Sequence, residues 1–339
     1  MISVVIPSRN GAATLGPCLR AALAAHHPGF EVEVVVVDDG SEDDSAAIVG
    51  SFPCKLVRLD RHRGVSAARN AGAAASSGSL LFFTDDDCLL EIDALSIARA
   101  SYGERRDLIL GGTYTPLPHD GDFFSAFQSI SIHHAETRRP DPDYVASHAM
   151  VIDAGLFRRS GGFLQDHLMG VAPGVEDVEL CHRLRRAGCQ LAVEPRIQVM
   201  HHFGFSLCRS LGNAARKARR WTRYSLAHRD LLSDSGAASR GLKANVPLAF
   251  LQAGLVVLAM ARGLAWPLAA AALLLALDLR LNRGLLCAWR AAKGPSFCAL
   301  AALYFTTLYA AAVGVGAAAG AAQHFWSVWS ARALRGARA

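Results

Sequence analysis

The chain has 339 residues, which is enough for a catalytic domain and a smaller second domain. Its net charge is +6 and 52% of its residues are hydrophobic, but no aromatic-interleaved or zinc-binding pattern accompanies the charge, which argues against nucleic-acid binding. The eight cysteines are scattered without a CxxC pair, which argues against a disulfide framework and favours reduced thiols in a cytoplasmic domain.

Apolar runs alternate with helical patterns in the N-terminal third of the chain. Runs typical of buried strands lie at 2–6, 31–37, 55–59, 79–84 and 108–112. Helices are predicted between them, at 14–25, 43–50, 64–75 and 91–102. This alternation predicts crossover units and a mainly parallel α/β sheet. The first run lacks the basic and apolar regions of a signal peptide, so we expect this half of the chain to be cytoplasmic.

The pattern weakens over residues 113–145, where Pro, Asp and His are frequent. An irregular stretch of this length is typical of a functional loop or lid. A return to the sheet is predicted at 145–152, followed by a helix at 177–187 and short strands at 191–193 and 197–200. Side chains that could meet an anionic acceptor lie in the weak stretch: His133, His134, Arg138 and Arg139.

The C-terminal part of the chain is basic first and apolar afterwards. Basic residues cluster at 209–243, which fits anionic headgroups and the positive-inside rule. Apolar runs of 16, 14 and 26 residues follow at 246–261, 264–277 and 297–322. Only the third reaches the ~20 residues that cross a bilayer, so the first two form either a hairpin or a re-entrant pair. Three membrane crossings would place the terminal arginines on the side opposite the catalytic domain, against the positive-inside rule, whereas two or four crossings would satisfy the rule. These arginines are Arg332, Arg335 and Arg338.

Three consecutive carboxylates, Asp85, Asp86 and Asp87, follow the apolar run at 80–83. A strand that ends in clustered carboxylates puts them where open α/β sheets bind ligands. Like charges this close raise each other's pKa unless a cation neutralises them, and hard oxygen ligands favour Mg²⁺ or Mn²⁺ held together with phosphates. The residues alone therefore predict a metal–phosphate site on an α/β sheet, with a solvated acidic turn as the alternative.

Five motifs occur in a fixed order along residues 1–205. In chain order they are Val-Val-Ile-Pro-Ser-Arg-Asn at 4–10, Val-Val-Val-Asp-Asp-Gly-Ser at 35–41, Gly-Val-Ser-Ala-Ala-Arg-Asn-Ala-Gly at 64–72, Asp-Asp-Asp at 85–87 and Gly-Val-Glu-Asp at 174–177. In this order and spacing they resemble the family 2 inverting glycosyltransferases of the GT-A fold. The resemblance implies a UDP- or GDP-sugar donor and a Mg²⁺ or Mn²⁺ cofactor.

On the donor side, the resemblance implies nucleotide-sugar contacts from five residues at two motifs. They are Pro7, Ser8, Arg9, Arg69 and Asn70. It also matches Asp39 to the residue that reads the uracil imide N–H, and a carboxylate, as a pure acceptor, suits that donor. The alternatives are a helix N-cap and turn for Asp39 and a surface ion pair for Arg69.

The metal ligands are implied in the same way. Asp85 and Asp87 match the two acidic positions of the family's Asp-x-Asp motif, with Asp87 expected at the metal and Asp85 at metal or ribose. Asp86 lies between them and is assigned to the nucleotide-sugar site. His201 would complete the metal shell, although a histidine pair at a strand end is often structural, and only one of His201 and His202 can face the site.

Glu176 and Asp177 match the family's acidic pair at a helix start. In inverting transfer, a base removes the acceptor proton while the acceptor oxygen attacks the anomeric carbon opposite the leaving diphosphate. The resemblance assigns this role to Asp177, with Glu176 beside it. If the acceptor is a phosphate, Asp177 would instead orient the acceptor or the donor sugar. The alternative, carboxylates that complement the helix dipole, does not exclude either role.

The resemblance implies a GT-A catalytic domain at 1–205, and charge and hydropathy indicate a basic interfacial segment at 206–243, transmembrane helices at 244–325 and a basic tail at 326–339. We therefore expect a multi-pass inner-membrane enzyme of polysaccharide or glycolipid biosynthesis that acts on a lipid-linked or membrane-proximal acceptor. Residues 217–221 are similar to the Gln-x-x-Arg-Trp motif of processive members such as cellulose and hyaluronan synthases. Lys217 replaces the Gln, which argues against polymerisation, and a basic interfacial helix with a Trp anchor is the alternative.

Two other functions are weighed against this one. A nucleotidyltransferase would need a Gly-rich, basic phosphate loop near the N-terminus, where residues 7–13 offer only Arg9 and one glycine. A degenerate domain that serves as a nucleotide-sugar-binding membrane scaffold would not need the acidic residues, yet those at 39, 85, 87 and 177 are intact. Both functions are therefore disfavoured.

Overall fold

The structure is a computed structural model that describes residues 1–139, 141–164, 174–231, 233–236 and 238–336, with side chains as far as residue 330. Within it the chain divides into two compact units, Met1–Gly204 and Phe205–Ala339. Of the terminal arginines, Arg338 lies outside the described residues, and the side chains of Arg332 and Arg335 do too.

The first unit is built on a single mixed sheet, with eight strands in its described part. They are β1 (Ile2–Ser8), β2 (Val32–Asp38), β3 (Lys55–Arg58), β4 (Leu80–Phe83), β5 (Cys88–Leu90), β6 (Leu108–Tyr114), β7 (Met150–Asp153) and β8 (Gln190–His201). The strand order is β3-β2-β1-β4-β7-β6-β8-β5. Strands β3, β2, β1 and β4 are parallel to one another, whereas β7 is antiparallel to both of its neighbours. The predicted mainly parallel α/β sheet is therefore confirmed.

Seven helices are described in the first unit. They are α1 (Leu15–Ala24), α2 (Ser45–Gly50), α3 (Val65–Ala75), α4 (Ala94–Tyr102), α5 (Phe123–Thr137), α6 (Ala154–Arg159) and α7 (Glu176–Arg186). Strand β1 is buried throughout because its alternate side chains enter different apolar clusters, Val4 with Leu19 and Val5 with Ala73. A Cβ added at Gly72 would lie 2.4 Å from Val5 Cγ1, so the missing side chain lets α3 lie close to the sheet.

The structure corrects the sequence prediction between residues 113 and 201. Helix α5 occupies the middle of the stretch predicted to be irregular, and its N-cap is Asp122, whose side chain accepts a 2.9 Å hydrogen bond from the Ser125 N–H. Strand β8 is one strand of 12 residues where two short strands were expected. It is continuous because β6 pairs with it on one side, through a register shift, and β5 pairs with it on the other.

The second unit is helical in its described part. It contains α8 (Leu207–His228), α9 (Arg240–Arg262), α10 (Trp266–Leu281), α11 (Arg283–Tyr304), a π-helical turn (Phe305–Tyr309) and α12 (Ala310–Gly336), with a kink in α11 at Gly294. Residues 217–221 lie on α8. Helices α8 and α12 touch through their backbones, since Cβ atoms added at Gly316 and Gly320 would lie 2.2 Å and 2.4 Å from the carbonyl oxygens of Ala215 and Arg219. Small residues at such contacts are typical of close helix packing.

Two helical stretches among the described residues are long and apolar enough to cross a membrane, Arg240–Arg262 and the kinked Arg283–Ser330. In the most apolar 18 residues of each stretch, only 11% and 28% of the residues are buried, so most of their side chains are exposed. The run predicted at 264–277 lies in α10, which at 16 residues is short of the ~20 needed for a crossing. The exposed apolar surface gives limited support for membrane association.

Candidate active site

A buried arginine connects two of the predicted acidic groups. Arg69, on α3, donates from Nη2 to Asp85 Oδ1 at 2.6 Å and from Nη1 to Glu176 Oε1 at 2.9 Å. It is 3% exposed, so the surface ion pair considered as an alternative is wrong, and its guanidinium lies 5.6 Å from the centroid of the Phe163 ring. Burial raises the pKa of Asp85, but the charge and hydrogen bond of Arg69 outweigh burial and keep this pKa below its ordinary value. Asp85 is therefore held as a carboxylate.

Asp86 is turned away from Arg69 and towards the end of β1. Its Oδ2 atom accepts a 2.6 Å hydrogen bond from Ser8 Oγ, and a Cβ added at Gly11 would lie 2.2 Å from the same oxygen. Burial raises the pKa of Asp86 to about 6, against the opposing effect of the Ser8 hydrogen bond. The structure thus brings Ser8 and Asp86 together, while Pro7 is buried in β1 and Arg9 is exposed just after it.

Asp39 and Asn70 are both engaged by backbone groups. Asp39 accepts hydrogen bonds of 2.7 Å and 2.9 Å from two backbone N–H groups of the loop 62–64, and one of 2.8 Å from the imidazole Nδ1 of the same loop. These bonds tie Asp39 to the loop that leads into α3. The turn considered as the alternative is closed by Asp38, whose Oδ1 accepts a 2.9 Å hydrogen bond from the Ser41 N–H. The Asn70 amide bonds both backbone groups of Phe163, at 2.7 Å and 2.9 Å. Their assignment to nucleotide binding stays a prediction.

Asp87 and His201 face each other across two paired strands. Because Cys88 of β5 is opposite His201 of β8, the imidazole Nε2 lies 3.4 Å from Asp87 Oδ2. Burial and the charges of Asp85 and Asp86 raise the pKa of Asp87 to about 8, and a bound cation would relieve that repulsion.

The side chains around Asp87 and His201 are suitable ligands for a divalent cation. A carboxylate suits Mg²⁺ or Mn²⁺ and an imidazole suits transition metals, and Asp87, Cys88 and His201 together offer ligand atoms within 4.8 Å of one another. Asp85 is nearby, but one of its carboxylate oxygens accepts a hydrogen bond from Arg69. Of the two candidate histidines, His201 is the one that faces these carboxylates.

Glu176 and Asp177 stand side by side at the start of α7. Glu176 has both oxygens occupied, since Oε1 binds Arg69 and Oε2 accepts a 2.8 Å hydrogen bond from the Gly174 N–H. Asp177 accepts from the N–H groups of Ser147 at 3.3 Å and Val178 at 2.8 Å, and it is partly exposed. Burial and the Glu176 charge raise the pKa of Asp177 to about 6. A carboxylate with this pKa and some access to solvent can serve as a general base near neutral pH.

A buried histidine that the sequence analysis did not single out lies in the same region. His148 is 6% exposed, its ring stacks on Tyr114 at 3.9 Å, and its Nε2 lies 3.4 Å from Glu136 Oε2. The Tyr114 ring also meets His201 edge-on at 4.9 Å, and the Tyr114 carbonyl oxygen lies 2.7 Å from His133 Nδ1. The abundance of histidine between 113 and 150 was the only sequence signal for this cluster.

Comparison with known proteins finds relatives for the part of the chain that carries Asp39, Arg69 and the carboxylates at 85–87. Residues 3–160 match the model of glycosyl transferase family 2. The chain is 39% identical over 140 residues to glycosyltransferase AglE of Haloferax volcanii, a match that covers 38% of this chain and 45% of that protein. It is 36% identical over 119 residues to a PGL/p-HBAD biosynthesis glycosyltransferase of Mycobacterium tuberculosis, covering 33% and 46%. The chain thus spans less than half the length of these curated relatives.

A solved structure extends the likeness over most of the chain. It is the mannosyltransferase PcManGT from Pyrobaculum calidifontis, in complex with GDP-Man and Mn²⁺, with a TM-score of 0.58 and 19% sequence identity. The match covers 96% of this chain and 87% of that one. It confirms the predicted GT-A-type fold, and the similarity of residues 3–160 to glycosyl transferase family 2 agrees with the predicted enzyme class.

Proposed function

We propose that the protein is a metal-dependent inverting glycosyltransferase that moves a sugar from a UDP- or GDP-sugar to a lipid-linked or membrane-proximal acceptor. The observation that carries the proposal is the double ion pair of Arg69 with Asp85 and Glu176. It fixes the acidic cluster after β4 relative to the acidic pair at the start of α7. Transfer with inversion needs one group that helps the diphosphate leave and another that activates the acceptor, and it needs them at a fixed separation.

On the donor side, Asp87 and His201 would hold the divalent cation, with Asp85 next to them. A bound Mg²⁺ or Mn²⁺ supplies Lewis-acid stabilisation of the leaving diphosphate. The complex of PcManGT with GDP-Man and Mn²⁺ supports this choice of donor and metal. Ser8 and Asp86, joined by their hydrogen bond, would shape the nucleotide end of the site.

On the acceptor side, Asp177 would remove the proton from the attacking hydroxyl. Its raised pKa and partial exposure support this role, because the base has to meet the acceptor and hold a proton transiently. Glu176 has both oxygens occupied by Arg69 and the Gly174 N–H, so its role is to position Arg69 and to raise the proton affinity of Asp177.

The acceptor is proposed to be membrane-bound because the second unit carries the surface expected of a membrane segment. Two apolar stretches have mostly exposed side chains, and α8 contributes a basic stretch that suits anionic headgroups. We place the protein in the inner membrane as a multi-pass protein with its first unit in the cytoplasm.

The test is a transfer assay with the full chain in lipid nanodiscs. UDP- and GDP-sugars, GDP-mannose first, are offered with Mn²⁺ and a lipid extract, and product formation is followed by mass spectrometry. We expect metal-dependent transfer that is lost on chelation and in Asp87→Ala. Full activity after either treatment would refute the metal site. Formation of a nucleoside triphosphate and a sugar 1-phosphate when pyrophosphate is added would favour a nucleotidyltransferase, and nucleotide-sugar binding in calorimetry without transfer would favour a binding scaffold.

A further inference from the structure

We propose that His119, Asp120 and His202 form a second metal site, for a transition-metal ion of the zinc type. The site is distinct from the one at Asp87 and His201. Successive residues at the end of β8 point to opposite sides, so the imidazoles of His201 and His202 face different groups. His201 faces Asp87, whereas His202 faces Asp120.

The distances within the cluster suit a metal. Asp120 Oδ1 lies 2.7 Å from His202 Nε2 and 4.0 Å from His119 Nδ1, and the three ligand atoms are all within 4.8 Å of one another. Tetrahedral zinc with bonds of ~2.0–2.1 Å separates its ligand atoms by about 3.3–3.4 Å. The two observed distances lie on either side of this value. A small rotation of the His119 ring, whose side chain is 50% exposed, would shorten the longer distance, and a small rotation of the His202 ring, whose side chain is 39% exposed, would lengthen the shorter one.

The surroundings hold the cluster in position. Asp120 Oδ2 accepts a 2.6 Å hydrogen bond from the Gly204 N–H, which orients the carboxylate from behind, as is typical of metal ligands. The N–H of His119 donates to the His201 carbonyl at 3.0 Å, and the N–H of His202 donates to the Asp87 carbonyl at 2.8 Å. The backbone of the site is therefore preformed, and the exposed His119 imidazole leaves an entry path for the ion.

The ligand set determines which ion the site prefers. Two imidazoles with one carboxylate suit Zn²⁺ and its neighbours, whereas Mg²⁺ and Mn²⁺ prefer oxygen ligands. Three protein ligands leave a coordination position open for water or an anionic oxygen. Bound metal would fasten the turn that precedes α5 to the end of β8, next to the backbone of Asp87. The two sites would thus differ in metal preference while sharing a strand end.

Zinc binding to the full chain in detergent tests the proposal. An Asp87→Ala background removes one ligand of the other cluster, so that zinc bound elsewhere is the signal. We expect this protein to bind one Zn²⁺ in competition with a fluorescent zinc indicator. Adding His119→Ala and His202→Ala should weaken that binding at least ~100-fold. The matched control is His26→Ala, because His26 forms a similar exposed pair with Asp93, at 3.9 Å, and no third ligand completes that pair among the residues that the structure describes.

The outcomes separate cleanly. Co²⁺ in place of Zn²⁺ should give visible absorption bands that persist in the His26→Ala control and vanish with the two histidines. No zinc binding at micromolar concentration in the Asp87→Ala protein, or equal binding after both histidines are replaced, would overturn the proposal. If circular dichroism shows that the double replacement misfolds, Asp120→Asn and His202→Gln are tested singly. Each is then expected to weaken zinc binding at least ~10-fold, and unchanged affinity would again overturn it.

Discussion

Replacement of Asp177 by Asn tests the electrostatics at the start of α7. In the folded protein the pKa of Asp177 is raised from 3.8 to about 6. Because the folded state holds the proton more tightly than the unfolded state, this carboxyl destabilises the protein increasingly as the pH rises from about 4 to about 6, and fully above that. At about 1.4 kcal/mol per pKa unit the full penalty is about 3 kcal/mol, and the partial exposure of the side chain makes this an upper figure.

The variant removes the penalty and also loses something that does not depend on pH. Asn has one acceptor oxygen, so one of the hydrogen bonds from Ser147 and Val178 is lost, at about 1 kcal/mol. The part that depends on pH can be isolated. Between pH 5 and pH 8, the free energy of unfolding of Asp177→Asn should gain on that of the wild type by about 1 kcal/mol.

The difference in the free energy of unfolding can be measured by pulse proteolysis of the full chain in urea, at pH 5 and at pH 8, with cleavage of the first unit as the readout. Tryptophan fluorescence would not report it, since all five tryptophans lie in the second unit. The matched control is Glu104→Gln, which removes one negative charge from a side chain that is 91% exposed and should show no comparable trend. If the gain of Asp177→Asn were the same at both pH values, the raised pKa would be wrong.

Three further predictions follow from the same contacts. If Asp177 is the base, kcat of the wild type should rise with pH through about 6, and Asp177→Asn should bind nucleotide normally but not transfer; transfer at the wild-type rate would contradict this. Gly11→Ala would place a Cβ 2.2 Å from Asp86 Oδ2 and so weaken nucleotide-sugar binding in calorimetry, whereas Gly50→Ala, with nothing within 4 Å, should not. Gly316→Ala would press against the Ala215 carbonyl and destabilise the second unit by about 2 kcal/mol, as tryptophan fluorescence in urea would show; Gly254→Ala has open space and serves as its control.

The sheet could be predicted from the sequence because its central strands are buried on both faces. The strands β1, β2 and β4 are almost entirely apolar, with Ser3 and Glu33 as the polar residues inside them, and the carboxylates that follow β2 and β4 fall where strand ends meet. Helix α5 could not be predicted in this way. Its buried face contains Ser125, Gln128 and Ser129, so polar residues occupy positions where the helical pattern would show apolar ones. Periodicity reports on hydrophobic spacing and does not detect a helix that buries polar side chains.

The contacts between the site residues could not be predicted from the sequence, for a different reason. The motifs identified Arg69, Asp85 and Glu176 separately, but their contact depends on how α3 and α7 approach the sheet. In the same way, two adjacent histidines in the sequence gave no sign of which one faces the carboxylates. The pairing of β5 with β8 decides it, and β5 is a strand of only three residues.

The contact of Arg69 with both acidic groups explains why neighbouring carboxyls differ in their proton affinity. Asp85, bound to Arg69, has a pKa below its ordinary value, while that of Asp87 is raised to about 8 and that of Asp177 to about 6. Groups whose environments separate their pKa values in this way can take different roles in one reaction. Arg69 forms ion pairs with Asp85 and Glu176, and its charge lowers the pKa of Asp177 by less than burial and the Glu176 charge raise it. A cation would therefore stabilise the charged form of Asp87, and Asp177 can hold a proton. The same buried guanidinium therefore makes one end of the site suited to a metal and the other suited to a base.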